Sequence, residues 1–219
     1  LQTAFTSFSP FQKKIFYFFS FVWGASVLGL LFILSAHFIV EVPRTGGALV
    51  EGAIGTPRFI NPLLAISDTD RDLSALVYSG LMRATPSGEL IPDLAEKYSV
   101  SPDGLTYTFV LKEALKWHDG KPITVDDILF TVAKVKDPLL KSPRRASWEG
   151  VNAEKIDERT IEFALKQPYS PFLENTASLG ILPAHIWGKI SVEQFGFAKF
   201  NVTPIGSGPY KIAELHTDN

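Results

Sequence analysis

Between Ile15 and Val40 the sequence contains no Asp, Glu, Lys or Arg. A helix of that run, rising about 1.5 Å per residue, would exceed the ~30 Å hydrocarbon core of a bilayer. Lys13 and Lys14 precede the run, whereas Glu41 and Arg44 cancel behind it, and basic residues favour the cytoplasmic side. The pattern therefore predicts a transmembrane anchor or uncleaved signal over residues 15–40. It also predicts a cytoplasmic tail over 1–14 and an extracytoplasmic location, periplasm or cell exterior, for everything after Val40. A cleavable signal has an apolar core of only about 7–15 residues, although Ser35 and Ala36 supply the small residues a cleavage site would use. A buried core helix would be interrupted by a polar face, and this run is not.

Beyond residue 40 the periods shorten. Residues 41–47 read as a linker and 48–50 as a strand, broken by Gly52, Gly55 and Pro57. Leu73, Leu76, Val77 and Leu81 form a helical stripe behind Asp68, Asp70 and Asp72, acids that suit the positive end of a helix. Residues 94–96 read as a short helix or turn, and 101–104 (Ser-Pro-Asp-Gly) and 117–122 as turns. Leu105, Tyr107, Phe109 and Leu111 alternate with Thr106, Thr108 and Val110, the signature of a half-buried strand. Ile161, Phe163 and Leu165 repeat it over 160–166. Thr124 followed by Asp127 matches a capping box that opens a helix through Ile128, Leu129 and Val132. Residues 137–145 read as a loop with two prolines and 183–187 as a short helix. Irregular mixing of helices and strands predicts an α/β or α+β class with a mixed sheet.

Composition sharpens this picture. The 219 residues carry 21 Lys+Arg against 23 Asp+Glu, and without a basic excess nucleic acid is not an expected partner. The chain has no cysteine, which excludes disulfides, thiolate zinc sites, a cysteine nucleophile and a lipid-modified cysteine anchor. Its positive mean hydropathy, +0.13, belongs to the front of a split chain: from residue 41 onward there are 19 basic and 23 acidic residues.

Candidate chemistry falls away on inspection. Asp68-x-Asp70-x-Asp72 begins like a calcium loop, but Leu73 and Ser79 occupy the positions that need Gly and Glu. His118-Asp119 has no accompanying nucleophile motif. His37, His185 and His216 are scattered rather than spaced as metal ligands. Gly206-Ser207-Gly208 lacks both the third glycine of a dinucleotide loop and the Gly-Lys-Ser/Thr of a P-loop. Asp126-Asp127 reads as a helix cap. The residues therefore point to no catalytic site, no metal site and no cofactor, and they leave binding as the expected function.

Read in order, the segments resemble the N-terminal region of the family 5 extracytoplasmic solute-binding proteins, the oligopeptide/dipeptide class of ABC importers. The resemblance runs from Gly46-Gly47-Ala48-Leu49-Val50 through Asn61-Pro62-Leu63-Leu64, Val77-Tyr78-Ser79-Gly80-Leu81 and the stretch from Gly88 to Glu96. It is densest from Ser101 to Phe109 and from Trp117 to Thr124. It continues at Ile181-Leu182-Pro183-Ala184-His185-Ile186 and closes at Pro204-Ile205-Gly206-Ser207-Gly208-Pro209-Tyr210.

The resemblance implies a periplasmic-binding-protein-like type II fold, two lobes that close on a ligand, of which residues 48–219 would form an incomplete first lobe. Residues 48–50 and the region from about Thr160 onward would share its main sheet. Peptide would be the ligand, and permease subunits of the importer would be partners. In peptide-binding relatives the ligand backbone pairs with first-lobe main chain, and the matching stretch here is Glu51, Gly52, Ala53, Ile54 and Gly55. Relatives also bind nickel, haem or sugar. A ligand-sensing or substrate-presenting ectodomain of the same fold is the competing expectation. Many relatives are free or lipid-anchored; here residues 15–40 would replace the lipid as a single-span tether.

Overall fold

The computed structural model describes residues 9–38 and 47–216. Most of the expected tail (1–8), residues 39 and 40 of the expected span, and nearly all of the linker (41–46) lie outside the described residues. The chain divides into two units, Leu1–Glu51 and Gly52–Asn219.

Among its described residues the first unit contains one helix, α1 (Pro10–Phe38), of 29 residues. Its start is fixed by sequence: Pro10 presets the first helical φ, and Ser9 and Gln12 exchange bonds. Gln12 N–H donates to Ser9 Oγ at 3.3 Å and Ser9 N–H donates to Gln12 Oε1 at 2.9 Å, a reciprocal cap. Ser26 donates its hydroxyl back to Val22 O at 2.9 Å, so this polar group within the apolar run is satisfied inside the helix. Over Pro10–Leu34 the helix is not buried in protein, and it is long and apolar enough to cross a membrane.

The second unit is built on a four-stranded sheet of order β3-β4-β6-β5, comprising β3 (Ala95–Val100), β4 (Thr106–Leu111), β6 (Thr160–Ala164) and β5 (Asn152–Lys155). A two-stranded hairpin, β1 (Met82–Ala84) with β2 (Leu90–Pro92), precedes it. Every pair in both sheets is antiparallel, so the described residues show none of the parallel pairing that a mixed sheet includes. Strands β4 and β6 alternate as expected: Tyr107, Phe109, Leu111, Ile161 and Phe163 are buried, and Tyr107 stands opposite Phe163 and Phe109 opposite Ile161. Against that face pack α3 (Val125–Lys136), α4 (Arg145–Trp148) and α5 (Phe172–Ser178). Trp148 meets Phe163 and Phe172 with ring centres 5.8 and 5.6 Å apart, edge to face, the arrangement that ring quadrupoles prefer.

Three expectations are corrected. Residues 48–50 are not a strand: Leu49 and Val50 are 88% and 95% exposed. Three extended residues without a neighbouring strand leave their backbone groups to water, and apolar character alone cannot supply that neighbour. Consequently β6 does not share a sheet with them; it pairs with β4 and β5. Residues 95–100 form strand β3 where 94–96 had suggested a helix or turn. This edge strand is exposed after Ala95 and carries a register shift between Ala95 and Lys97, and a polar, bulged edge hides the period-two signal. Helix α2 (Asp68–Val77), helix α3 and the short helix α6 (Ala184–Trp187) lie where periodicity placed them.

Candidate functional site

The glycine- and alanine-containing stretch 51–55 is exposed throughout, with Ile54 fully so. Within the second unit it is moored to α2. Thr69 donates its hydroxyl to Ile54 O at 2.8 Å, and Gly55 adopts φ +110°, a conformation that favours glycine. Just downstream, Arg58 and Phe59 donate their amides to Asp70 Oδ1 at 2.8 and 3.0 Å. Burial works to raise the Asp70 pKa, but the Phe59 and Arg58 amides and Ser67 outweigh it and hold the carboxyl below the usual range. Among the described residues Gly52 and Ala53 form no backbone–backbone bond, so their main-chain donors and acceptors stand open to a partner.

The glycines and histidines of the sequence motifs form joints. His118 accepts the Gly206 amide at Nδ1 (3.3 Å) and faces Gly208 O through Nε2 at 2.9 Å, which assigns the neutral tautomer protonated at Nε2. Its neighbour Asp119 faces elsewhere, toward His185 Nε2 at 2.8 Å, so the two do not form a dyad. Partial burial acts to raise the Asp119 pKa, yet the His185 and Lys121 hydrogen bonds and charges hold it below the usual carboxylate range. Asn61 and Asn201, both buried, are joined side chain to side chain at 3.0 Å. A Cβ added at Gly206 would lie 2.0 Å from Val77 O, so only glycine permits that approach. Four of the motifs, 77–81, 117–124, 181–186 and 204–210, far apart in sequence, thus meet as structure.

A cleft of about 1030 Å³ opens among α2, the β1–β2 hairpin, α5 and the loop at 207–209. No sequence motif marks its polar wall. Arg144 and Arg71 line it together with Ser74, Lys112 and Glu174. A faint signal existed: Lys141, Arg144 and Arg145 lie in a stretch with no acid between Asp137 and Glu149. Among the described residues no group of three or more His, Asp or Glu side chains could hold a metal ion.

Residues 89–219 match the family described as bacterial extracellular solute-binding proteins, family 5 Middle. The chain belongs to that family. This family 5 protein is 34% identical to the oligopeptide-binding protein AppA of Bacillus subtilis over 175 residues, covering 78% of this chain and 32% of the relative. It is 32% identical to the dipeptide-binding protein of Escherichia coli over 195 residues, 78% of this chain and 36% of the relative. The solved structure of AppA in complex with a nonapeptide matches with a TM-score of 0.75 at 32% identity, over 80% of this chain and 35% of that one. NikZ of Campylobacter jejuni in complex with Ni(L-His) matches with a TM-score of 0.66 at 33% identity, over 76% of this chain and 32% of that one. The α/β fold of the family 5 chain is therefore that of type II periplasmic binding proteins, and the chain spans about a third of the length of the relatives it matches.

Proposed function

We propose that this chain supplies the first lobe of a solute-binding subunit of an ABC importer, and that its ligand is a peptide. The observation that carries the reading is the match to AppA in its nonapeptide complex, which extends over four-fifths of the chain. In this reading Gly52, Ala53, Ile54 and Gly55, with Glu51 before them, offer main chain to an extended peptide. Their exposure and the free backbone groups of Gly52 and Ala53 support it. Closure of a second lobe over the ligand would then favour the form that docks on the permease. Helix α1 tethers the subunit as a single span, its N-terminus in the cytoplasm beside Lys13 and Lys14 and the second unit outside the membrane.

Isothermal titration of the whole protein against tri- to pentapeptides tests the ligand assignment. Saturable binding is the expected result; clear binding of another solute with none of peptide overturns it. The similarity to NikZ, solved with Ni(L-His), is the observation that favours a second reading, a non-peptide solute in the same lobe, and the same titration with nickel and histidine decides between them.

A further inference from the structure

The turn at 117–122 holds two histidine joints that answer a proton in opposite ways. The partners of the His118 ring leave no choice of charge state. The Gly206 amide can only donate, so Nδ1 accepts it, at 3.3 Å, and Gly208 O can only accept, so Nε2 carries its proton toward it, at 2.9 Å. The His118 amide adds a third bond, to Gly206 O at 2.9 Å. Only the neutral ring satisfies this set, because a proton on Nδ1 would set two N–H groups face to face. The neighbouring Asp119 meets the other histidine, His185 of α6, at Nε2. That contact survives protonation of its ring, which gains a charge there and loses no bond.

Few ionisable groups surround the His118 ring. Lys116, Asp119 and Lys121 lie on its own segment, and α6 brings His185. The loop from Asn201 to Pro209 has none before Tyr210 and Lys211, and the last turn of α2 has none before Tyr78. Among the described residues none of these side chains bonds to the ring, so none replaces the contact that protonation removes. What the ring holds is a wall of the cleft, which Ser207, Gly208 and Pro209 line. The loop is also tied to the end of α2 and to Ser79. Gly208 N–H donates to Val77 O at 2.7 Å, Tyr210 N–H to Leu76 O at 3.1 Å and Ser79 N–H to Ser207 Oγ at 3.2 Å. Loss of the Nδ1 bond therefore loosens this wall without unfolding it.

We propose that His118 is a proton-operated positioning residue of the cleft: neutral, it latches the loop at 206–208 for solute capture, and protonated, it frees the loop and weakens capture. Imidazole is the side chain that ordinarily changes charge between about pH 5 and 8, so capture is favoured near neutrality and release in acid. The latch stands on the contacts of the ring itself; its effect on capture rests on the solute-binding reading above.

The test uses the whole protein in detergent. In the first arm, without solute, exchange of the Gly206 amide is followed at about pH 7 and about pH 5.5 and corrected for the intrinsic pH dependence of exchange. Protection should fall in acid by about two- to tenfold, the factor one net hydrogen bond carries. His118→Asn, whose Oδ1 can accept where Nδ1 does and does not titrate in this range, should remove the pH dependence. His118→Ala should give low protection at both values. In the second arm tri-alanine is titrated calorimetrically under the same two conditions. Its affinity should fall in acid by a similar factor in the unaltered protein, and the ratio of the two affinities should return toward unity in His118→Asn. Gly206 protection that ignores pH overturns the latch, and a pH dependence that persists in His118→Asn overturns its assignment to this ring. A latch seen at Gly206 beside equal tri-alanine affinities overturns its control of capture. A latch seen at Gly206 with no tri-alanine binding at either pH upholds the latch and removes peptide as the solute.

Discussion

Helices α1 and α3 begin alike and end in opposite surroundings. Ser9 and Gln12 exchange bonds at the first, and Thr124 and Asp127 meet at the second, where the Thr124 amide donates to Asp127 Oδ2 at 2.9 Å. From there they diverge. Helix α3 buries Val125, Ile128, Thr131, Val132 and Val135 on one side and turns Asp126 and Ala133 outward. Over Pro10–Leu34, helix α1 is apolar on every side and buries none of it. The comparison teaches that capping sets where a helix starts, while the angular spread of its apolar residues sets which solvent it was made for. A stripe suits packing against protein; a helix apolar all round is long and apolar enough to cross a membrane.

The largest effect that separates them is a core truncation. Ile128 is fully buried in α3, and Ile128→Ala is expected to cost about 2–5 kcal/mol of unfolding free energy. Leu28→Ala, on exposed α1, should leave the urea midpoint of the second unit unchanged when the whole chain is unfolded in detergent. Equal shifts for the two variants would break the comparison. The next effect inverts it. Leu28→Arg places a cation near the middle of the apolar run and should raise the insertion free energy by about 2.5–3.5 kcal/mol. The measurement is the fraction released by alkaline carbonate, and it should rise while the urea midpoint stays fixed. An unchanged fraction would mean that α1 is not held by lipid.

What could be read in the sequence follows the same division. Burial on one side of an element prints its period into the chain, so α3, β4 and β6 were legible, as was the apolar run of α1. Elements without a buried face, such as edge strand β3 and the short β5, print no period. Residues 48–50 were misread for the reciprocal reason: apolar character predicts a wish to be buried, not the strand that would do the burying. The motifs were legible as a family resemblance but not as joints, because nothing in the local pattern of His118 says that its ring will meet Gly206 and Gly208.

Helix α2 extends the comparison to charge. Its third residue, Asp70, accepts the Arg58 and Phe59 amides. With its pKa depressed in the folded state, the ionised carboxylate stabilises the fold above its ordinary pKa of about 3.9, and that contribution disappears as pH falls through the depressed value. Asp70→Asn should therefore lower the urea midpoint most at neutral pH, and the gap from the unaltered protein should close below about pH 4. A gap independent of pH would show that shape rather than charge holds the 58–59 segment.

The smallest effect tests the shared device itself. Thr124 Oγ1 donates to Asp127 Oδ2 at 3.2 Å, alongside the Thr124 amide, and Asp127 Oδ1 accepts the Ala184 amide at 2.8 Å. The cap of α3 is thus also a tie to α6, and loosening it is felt in tertiary structure. Thr124→Ala is expected to cost about 1 kcal/mol, with Thr124→Ser recovering most of it, since a cap hydroxyl carries about that much. The cap of α1 bonds only within its own first turn. Ser9→Ala should fray that turn, read as faster amide exchange at Gln12, and leave the unfolding of the second unit untouched. If Ser9→Ala instead lowered the urea midpoint as Thr124→Ala does, the two helices would be coupled, and the division between the exposed apolar helix and the protein-packed one would have to be redrawn.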